Sequence, residues 1–153
     1  MKIGTICYVE KDNHYLMLHR NKKPNDMHKN LWVGLGGKIE PGESPEECVI
    51  REVYEESGLR IINPQLRGIL TFPADGIEDD WYVFLFTATN FTGQIKLCDE
   101  GELAWVETSK VKDLPMHEGD KYFIRYMQEH DGVFTIKFNY DHGNFKGCDV
   151  LTY

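Results

Sequence analysis

A mixed α/β (α+β) fold, with helices packed on a curved sheet, follows from three features of the sequence. Runs rich in β-branched and aromatic residues recur from one end of the chain to the other. One long amphipathic segment carries both a helix start and a helix stop signal. A second amphipathic segment comes late, before two closing β-rich runs.

Residues 3–9 and 14–20 are β-rich runs separated by the polar cluster 10–13, which predicts a hairpin. A polar loop, 21–30, leads into 31–39, which is apolar but rich in glycine. That composition predicts short strand pieces where backbone approaches another group closely. The central helix begins at Ser44, a good N-cap, with Pro45 at the first helical position and Glu47 placed to complete a capping box. Gly58 is placed to end it in a left-handed cap. Between them Cys48, Val49 and Val53 form the apolar stripe that packs on the sheet. Residues 65–72 and 81–89 read as strands, the second dense enough to be central, and 103–107 as a short strand. Residues 110–114 read as one helical turn and 120–129 as the second amphipathic helix. Residues 133–139 and 145–151, joined around Asp141-His142-Gly143-Asn144, read as a closing hairpin.

The 153 residues contain no repeat and no Pro/Gly/Ser-rich linker, so 1–153 is read as a single domain. A hydrophobic fraction of 41% rules out a disordered chain. With 25 acidic against 17 basic residues the net charge is −8, which argues against a stable nucleic-acid complex held by a basic surface. An anionic ligand would therefore need a cation to screen it. No apolar run approaches the ~18 residues of a membrane span, and the N-terminus lacks a signal peptide's apolar core. Cys7, Cys48, Cys98 and Cys148 are scattered singly, so they read as reduced thiols. These features predict a cytoplasmic protein, monomer or homodimer, that does not engage a membrane.

Chemistry is concentrated in residues 37–59. Glu52, Glu55 and Glu56 fall at i, i+3 and i+4, on one helix face, where like charges repel by roughly a few tenths of a kcal/mol each. A solvated acidic face is the ordinary explanation of such a trio. Here it is weakened by the neighbouring Gly34, Gly36 and Gly37, whose backbone can offer carbonyl oxygens. Arg51 is spaced to orient Glu52 and Glu55, and the apolar stripe holds the whole face rigid. Carboxylates with a backbone carbonyl make a hard-oxygen site suited to Mg²⁺ or Mn²⁺.

This spacing resembles the Nudix box, G-x5-E-x7-R-E-U-x-E-E-x-G-U with U aliphatic. It matches through Gly37, Glu43, Arg51, Glu52, Val53, Glu55, Glu56, Gly58 and Leu59. The resemblance implies an α/β/α sandwich in which the box helix packs on a mixed curved sheet. It also implies Mg²⁺-dependent hydrolysis of a nucleoside diphosphate linked to another group. By position, Glu52, Glu55 and Glu56 would be metal ligands and catalytic, Gly36 would add its carbonyl, Arg51 would hold Glu52, and Glu43 would support the loop. Glu52, Glu56 or a loop carboxylate would serve as base. Glu100 is the leading loop candidate and Glu102 the second.

Outside the box, Trp32-Val33-Gly34-Leu35-Gly36-Gly37-Lys38 resembles the W-x-G-x-G-G-K run of the MutT branch, enzymes that hydrolyse oxidised purine nucleoside triphosphates such as 8-oxo-dGTP. Residues 16–20 resemble the strand that ends in a phosphate-contacting basic residue. That makes Arg20, Lys23 and Lys38 candidates for phosphate contact. Phe72 and Asp120 occupy the places of a base-stacking aromatic and a base-reading acid. Trp32, Phe72 and Trp81 are also ordinary core candidates. Two departures stand out: Val33 replaces an asparagine that can hydrogen-bond a base, and Gly119-Asp120 replaces a pair of aspartates. The leading reading is an 8-oxo-dGTP pyrophosphohydrolase that sanitises the nucleotide pool. Other Nudix substrates (ADP-ribose, dinucleotide polyphosphates, dihydroneopterin triphosphate, RNA 5′ ends) and a non-catalytic nucleotide sensor stay open.

Overall fold

A computed structural model of the chain describes residues 1–76 and 79–153. The first hairpin pairs β1 (Lys2–Lys11) with β2 (His14–His19) across a two-residue turn. Asp12 and Asn13 take φ of 50° and 60°, the left-handed values that a tight hairpin turn needs and that Asn and Asp tolerate. The turn is thus narrower than the polar cluster 10–13, because the strands run on to meet it.

The glycine-rich stretch forms β3 (Trp32–Val33) and β4 (Leu35–Lys38). Helix α1 (Pro45–Ser57) follows, with the Ser44 hydroxyl accepting from the Glu47 amide and Gly58 closing the helix at φ 83°. Next come β5 (Leu59–Ile62), β6 (Gln65–Phe72), β7 (Trp81–Ala88), β8 (Asn90–Gly93) and β9 (Glu102–Glu107). A 3-10 turn at Val111–Asp113 occupies the expected helical turn. Helix α2 (Glu118–Glu129) starts two residues before the expected 120, since His117 is the extended N-cap and Glu118 joins the acidic first turn. The closing hairpin is β10 (Phe134–Asp141) and β11 (Asn144–Thr152).

The main sheet is mixed, in the order β11-β10-β6-β7-β1-β2-β3, with β4 also on β1 and β9 on β2. β1 runs parallel to β7 and β10 parallel to β6; the other pairs are antiparallel. Strand periodicity sends alternate residues into two cores. Cys7, Val9, Leu16, Leu18 and Phe86 pack with Val49 and Val53 of α1. Tyr8, Tyr15, Met17 and Leu85 pack with Phe123, Ile124 and Met127 of α2. A sheet between two helices is the layered architecture expected from the sequence. Among the described residues no helix is long and apolar enough to cross a membrane. Cys7, Cys48, Cys98 and Cys148 are all free thiols.

Sequence reading missed one pairing. Residues 59–62 and 90–93 form a separate two-stranded sheet, with Leu59 and Ile61 turned into the core. Four-residue strands carry too little periodicity to be recognised alone; the partner strand defines them.

Gly58 and Gly42 share φ 83° but differ in space. A Cβ on Gly58 would sit 2.5 Å from the Gln94 carbonyl oxygen, whereas one on Gly42 would meet nothing within 4 Å. Gly42→Ala should cost only the left-handed conformation, about 1–2 kcal/mol, and Gly58→Ala clearly more. Urea melts of the two variants test this, and equal losses would mean that the Gln94 carbonyl simply moves aside.

Candidate active site

Helix α1 presents Arg51, Glu52, Glu55 and Glu56 toward the loop that precedes it. The Arg51 guanidinium grips Glu43 by two parallel bonds, Nε to Oε2 at 2.6 Å and Nη2 to Oε1 at 2.9 Å. Its Nη1 donates to Glu52 Oε1 at 2.8 Å and Glu55 Oε2 at 3.3 Å, and Nη2 also reaches the Lys38 carbonyl at 3.2 Å. Forked, charge-assisted bonds of this kind fix geometry as well as charge. The Arg51 hydrogen bonds, with the Glu40 amide, hold the Glu43 carboxyl down at about 2.

The other two carboxylates are pushed the opposite way. Burial raises Glu56 to about 8, opposed by a bond from the Gly36 amide (2.8 Å) and reinforced by the charges of Glu100 and Glu52. Burial also raises Glu52; Arg51 opposes the rise, and Glu55 and Glu100 add to it. Close approach of backbone is essential here. A Cβ on Gly37 would lie 2.5 Å from the Glu52 carboxyl carbon, and one on Gly36 would lie 2.0 Å from the Thr5 carbonyl oxygen. Glu55 stays more than half exposed.

Glu100 reaches this cluster from the loop before β9, which docks on the end of β2. Lys22 Nζ donates to the Cys98 carbonyl at 2.8 Å, and Arg20 Nη1 lies 3.5 Å from Glu100 Oε2. Arg20 is also bonded through Nε to Asp26 at 2.6 Å. Glu102 is exposed and accepts from Asn21 instead. Lys23 is exposed and, among the described residues, its ammonium makes no ion pair. The Lys38 ammonium sits 5.9 Å from the Trp81 ring centroid, a ring that Lys2 also faces.

A second cluster lies at the start of α2. Asp120 is buried, and burial lifts its carboxyl to about 7. Phe72 stacks on Phe138 at 4.7 Å. A Cβ on Gly119 would meet Phe138 at 3.0 Å, and the Gly119 amide donates to the Tyr140 hydroxyl at 2.8 Å. Gly119 therefore makes room for two aromatic rings where a second aspartate would otherwise sit. Trp32 is half-buried and stacks on His19 at 4.6 Å.

The geometry thus gathers Arg51, Glu52, Glu55, Glu56, Gly36, Glu100 and Arg20 in one cluster, while Phe72 stacks on Phe138, the ring that lies against Gly119 beside Asp120. Among the described residues the Lys23 and Lys38 ammonium groups make no ion pair with these carboxylates. Sequence reading missed Asp26, which orients Arg20, and a link between His28 Nδ1 and His117 Nε2 at 2.7 Å. That link ties the 21–30 loop to the N-terminus of α2. No spacing rule signals contacts between residues 89 apart.

The donor chemistry fits a hard divalent cation. Glu52 and Glu56 are carboxylates raised first by burial and then by neighbouring carboxylate charge, a set of oxygens short of positive charge. Among the described residues no three such side chains converge as a cage. Mg²⁺ is usually held by one or two carboxylates, with waters and substrate phosphates completing its shell.

Comparison with known proteins agrees with this architecture. The NUDIX domain family matches residues 2–127. The chain is 37% identical to the uncharacterized Nudix hydrolase YvcI of Bacillus subtilis, over 89% of this chain and 85% of that protein. It is 34% identical to the oxidized purine nucleoside triphosphate hydrolase of Danio rerio, over 71% and 77% of the two chains. The crystal structure of the mutator MutT protein from Bacillus halodurans superposes with a TM-score of 0.86 at 32% identity, over 98% of this chain and 97% of that one.

The raised Glu56 makes a prediction about stability. Its folded-state pKa, about 8, lies above the unfolded value, so the stability it contributes is present in acid and lost as pH rises through 8. In chelator, the wild type should therefore lose more melting temperature between pH 6 and pH 9 than Glu56→Gln does. Added Mg²⁺ should restore more of it at pH 9 than at pH 6. Parallel melting curves for the two proteins would remove Glu56 as the strained carboxyl.

Proposed function

This chain belongs to the Nudix family of hydrolases, which act on phosphoric anhydride bonds, and from that premise we propose that it cleaves oxidised purine nucleoside triphosphates, 8-oxo-dGTP first among them, to the monophosphate and pyrophosphate. The observation that carries the reading is the pairing of two clusters. A carboxylate face suited to phosphates and a cation stands on α1, and an aromatic cluster of Phe72, Phe138 and Tyr140 lies by the start of α2, where Asp120 is buried. Similarity to the Danio rerio enzyme supports it. Pool sanitation and suppression of mutation would be the cellular consequence.

Nudix hydrolases generally use divalent metal ions. Mg²⁺, or Mn²⁺, held by Glu52, Glu55, Glu56 and the Gly36 carbonyl would polarise phosphoryl oxygens and make the attacking water more acidic. Arg51 keeps Glu52 from swinging away, since it holds that carboxyl and Glu43 at once. Arg20, oriented by Asp26, presents a fixed cation beside Glu100 and is the strongest phosphate contact. Lys23, exposed in the 21–30 loop, is a second contact. Lys38, set on Trp81, serves the triphosphate only if its flexible stem leaves that ring. Glu100 takes the proton of the attacking water, as a partly exposed carboxylate whose charge is felt at both Glu52 and Glu56. Phe72, backed by Phe138, offers a stacking face, and Asp120 hydrogen-bonds the purine edge. Val33 adds only an apolar contact there.

Products measured with Mg²⁺ and with chelator decide between substrates. The expected result is pyrophosphate from 8-oxo-dGTP at a kcat/KM well above that for dGTP, with none in chelator. Turnover confined to ADP-ribose or to unoxidised nucleotides would overturn the substrate assignment and leave the hydrolase intact. Glu56→Gln should lower kcat at least ~10³-fold without unfolding the protein, because Gln can still accept from the Gly36 amide. Near-wild-type turnover would remove Glu56 from the reaction.

A further inference from the structure

Glu100 is carried by a tight turn, residues 98–101, whose two ends are held unequally. At one end Gly101 is pressed against β2, where a Cβ would lie 1.8 Å from the His19 carbonyl oxygen, and the chain runs on into β9. At the other end Cys98 is buried in the α1 core, but residues 94–97 that lead to it are all exposed. Lys22 spans this turn. Its backbone amide donates to the Glu100 carbonyl at 3.4 Å, and its ammonium donates to the Cys98 carbonyl at 2.8 Å. An exposed lysine ordinarily points into water or pairs loosely with an acid. Here Asp99, Glu100 and Glu102 lie in or beside the turn, yet among the described residues the Lys22 ammonium makes no ion pair. A charged donor on a carbonyl is a strong hydrogen bond. It leaves the Glu100 carboxylate clear of Lys22, with Arg20 beside it at 3.5 Å.

We propose that Lys22 is a positioning residue for the hydrolysis: bonded to two carbonyls of the 98–101 turn, it holds Glu100 where that carboxylate takes the proton of the attacking water. The inference rests on the reading that Glu100 is the base. Misplacing a reacting group by about 1 Å can cost two orders of magnitude in rate, so a surface bond that fixes a turn has a catalytic consequence. Arg20 and Lys22 divide the turn between them, one meeting the Glu100 side chain and the other its backbone. Arg20 is also tied to Asp26 at 2.6 Å, so it keeps its place when Lys22 lets go. Among the described residues Lys22 makes no bond to Glu52, Glu55 or Glu56, and its influence on the reaction runs through Glu100.

Four variants test this: Lys22→Met, Lys22→Arg, Glu100→Gln and the double variant Lys22→Met/Glu100→Gln. Lys22 is exposed and lies outside both cores, so its replacement leaves the fold intact. With Mg²⁺ and 8-oxo-dGTP, or ADP-ribose if that is the substrate, Lys22→Met should lower kcat about tenfold and leave KM unchanged. Lys22→Arg, which still presents a charged donor, should restore kcat. In the Glu100→Gln background Lys22→Met should change nothing, because the group it positions is already gone. In metal-free protein, hydrogen exchange of the amide at position 22 should quicken about tenfold in Lys22→Met and stay at the wild-type rate in Lys22→Arg. Wild-type kcat in Lys22→Met, an equal loss in both backgrounds, or unaltered exchange would each overturn the proposal. Wild-type kcat in Glu100→Gln alone would instead overturn the base assignment beneath it, and the proposal with it.

Discussion

The Arg51 guanidinium is the interaction on which the rest of the site depends. Four carboxylates, Glu40, Glu43, Glu52 and Glu55, come within 4 Å of it. Without it these groups would repel one another and solvate separately. With it, the loop before α1, the carbonyl end of β4 and the helix face are locked into one body. The lock also explains an asymmetry among the glutamates. Glu43, gripped by two bonds from Arg51, is held as an anion, whereas burial raises Glu52 although Arg51 bonds it. Glu56, one turn further and bonded to the Gly36 amide, keeps the raised affinity for a proton that a cation would displace.

A locked charge cluster needs a rigid floor, which the alternation of β1 supplies. Cys7 and Val9 anchor the α1 side of the sheet while Tyr8 anchors the α2 side. The same strand thus connects the α1 core to the aromatic core under α2, and successive residues serve opposite layers. Gly34, Gly36 and Gly37 lie beside it, each where a Cβ would strike Cys7, Thr5 or the Glu52 carboxyl. Their absent side chains let helix, loop and sheet come as close as the chemistry requires.

Net charge of −8 at first argues against a ligand as anionic as a triphosphate. The structure removes the contradiction by separating functions. Negative charge is gathered where a divalent cation fits, and Arg20 faces that cluster from the β2 side with Asp26 and Glu100. At the start of α2 lies Asp120, a buried acid whose apolar setting raises its carboxyl to about 7. Under the proposed function, phosphate contact and base selection would fall to different elements.

The sequence by itself determined the helix α1 with both its caps, the two-layer patterning of the strands, and the identity of Arg51 and the three box glutamates. Those properties are local: capping, periodicity and i, i+4 spacing act within a few residues, so they can be read in order. What only the tertiary structure decided is long-range. It paired 59–62 with 90–93 and joined His28 to His117. It also separated Lys23 and Lys38 from the carboxylates, although sequence grouped them with Arg20. A side chain's partner across the fold is chosen by packing and by the cost of burying polar groups unpaired, and neither is encoded in any short window of residues.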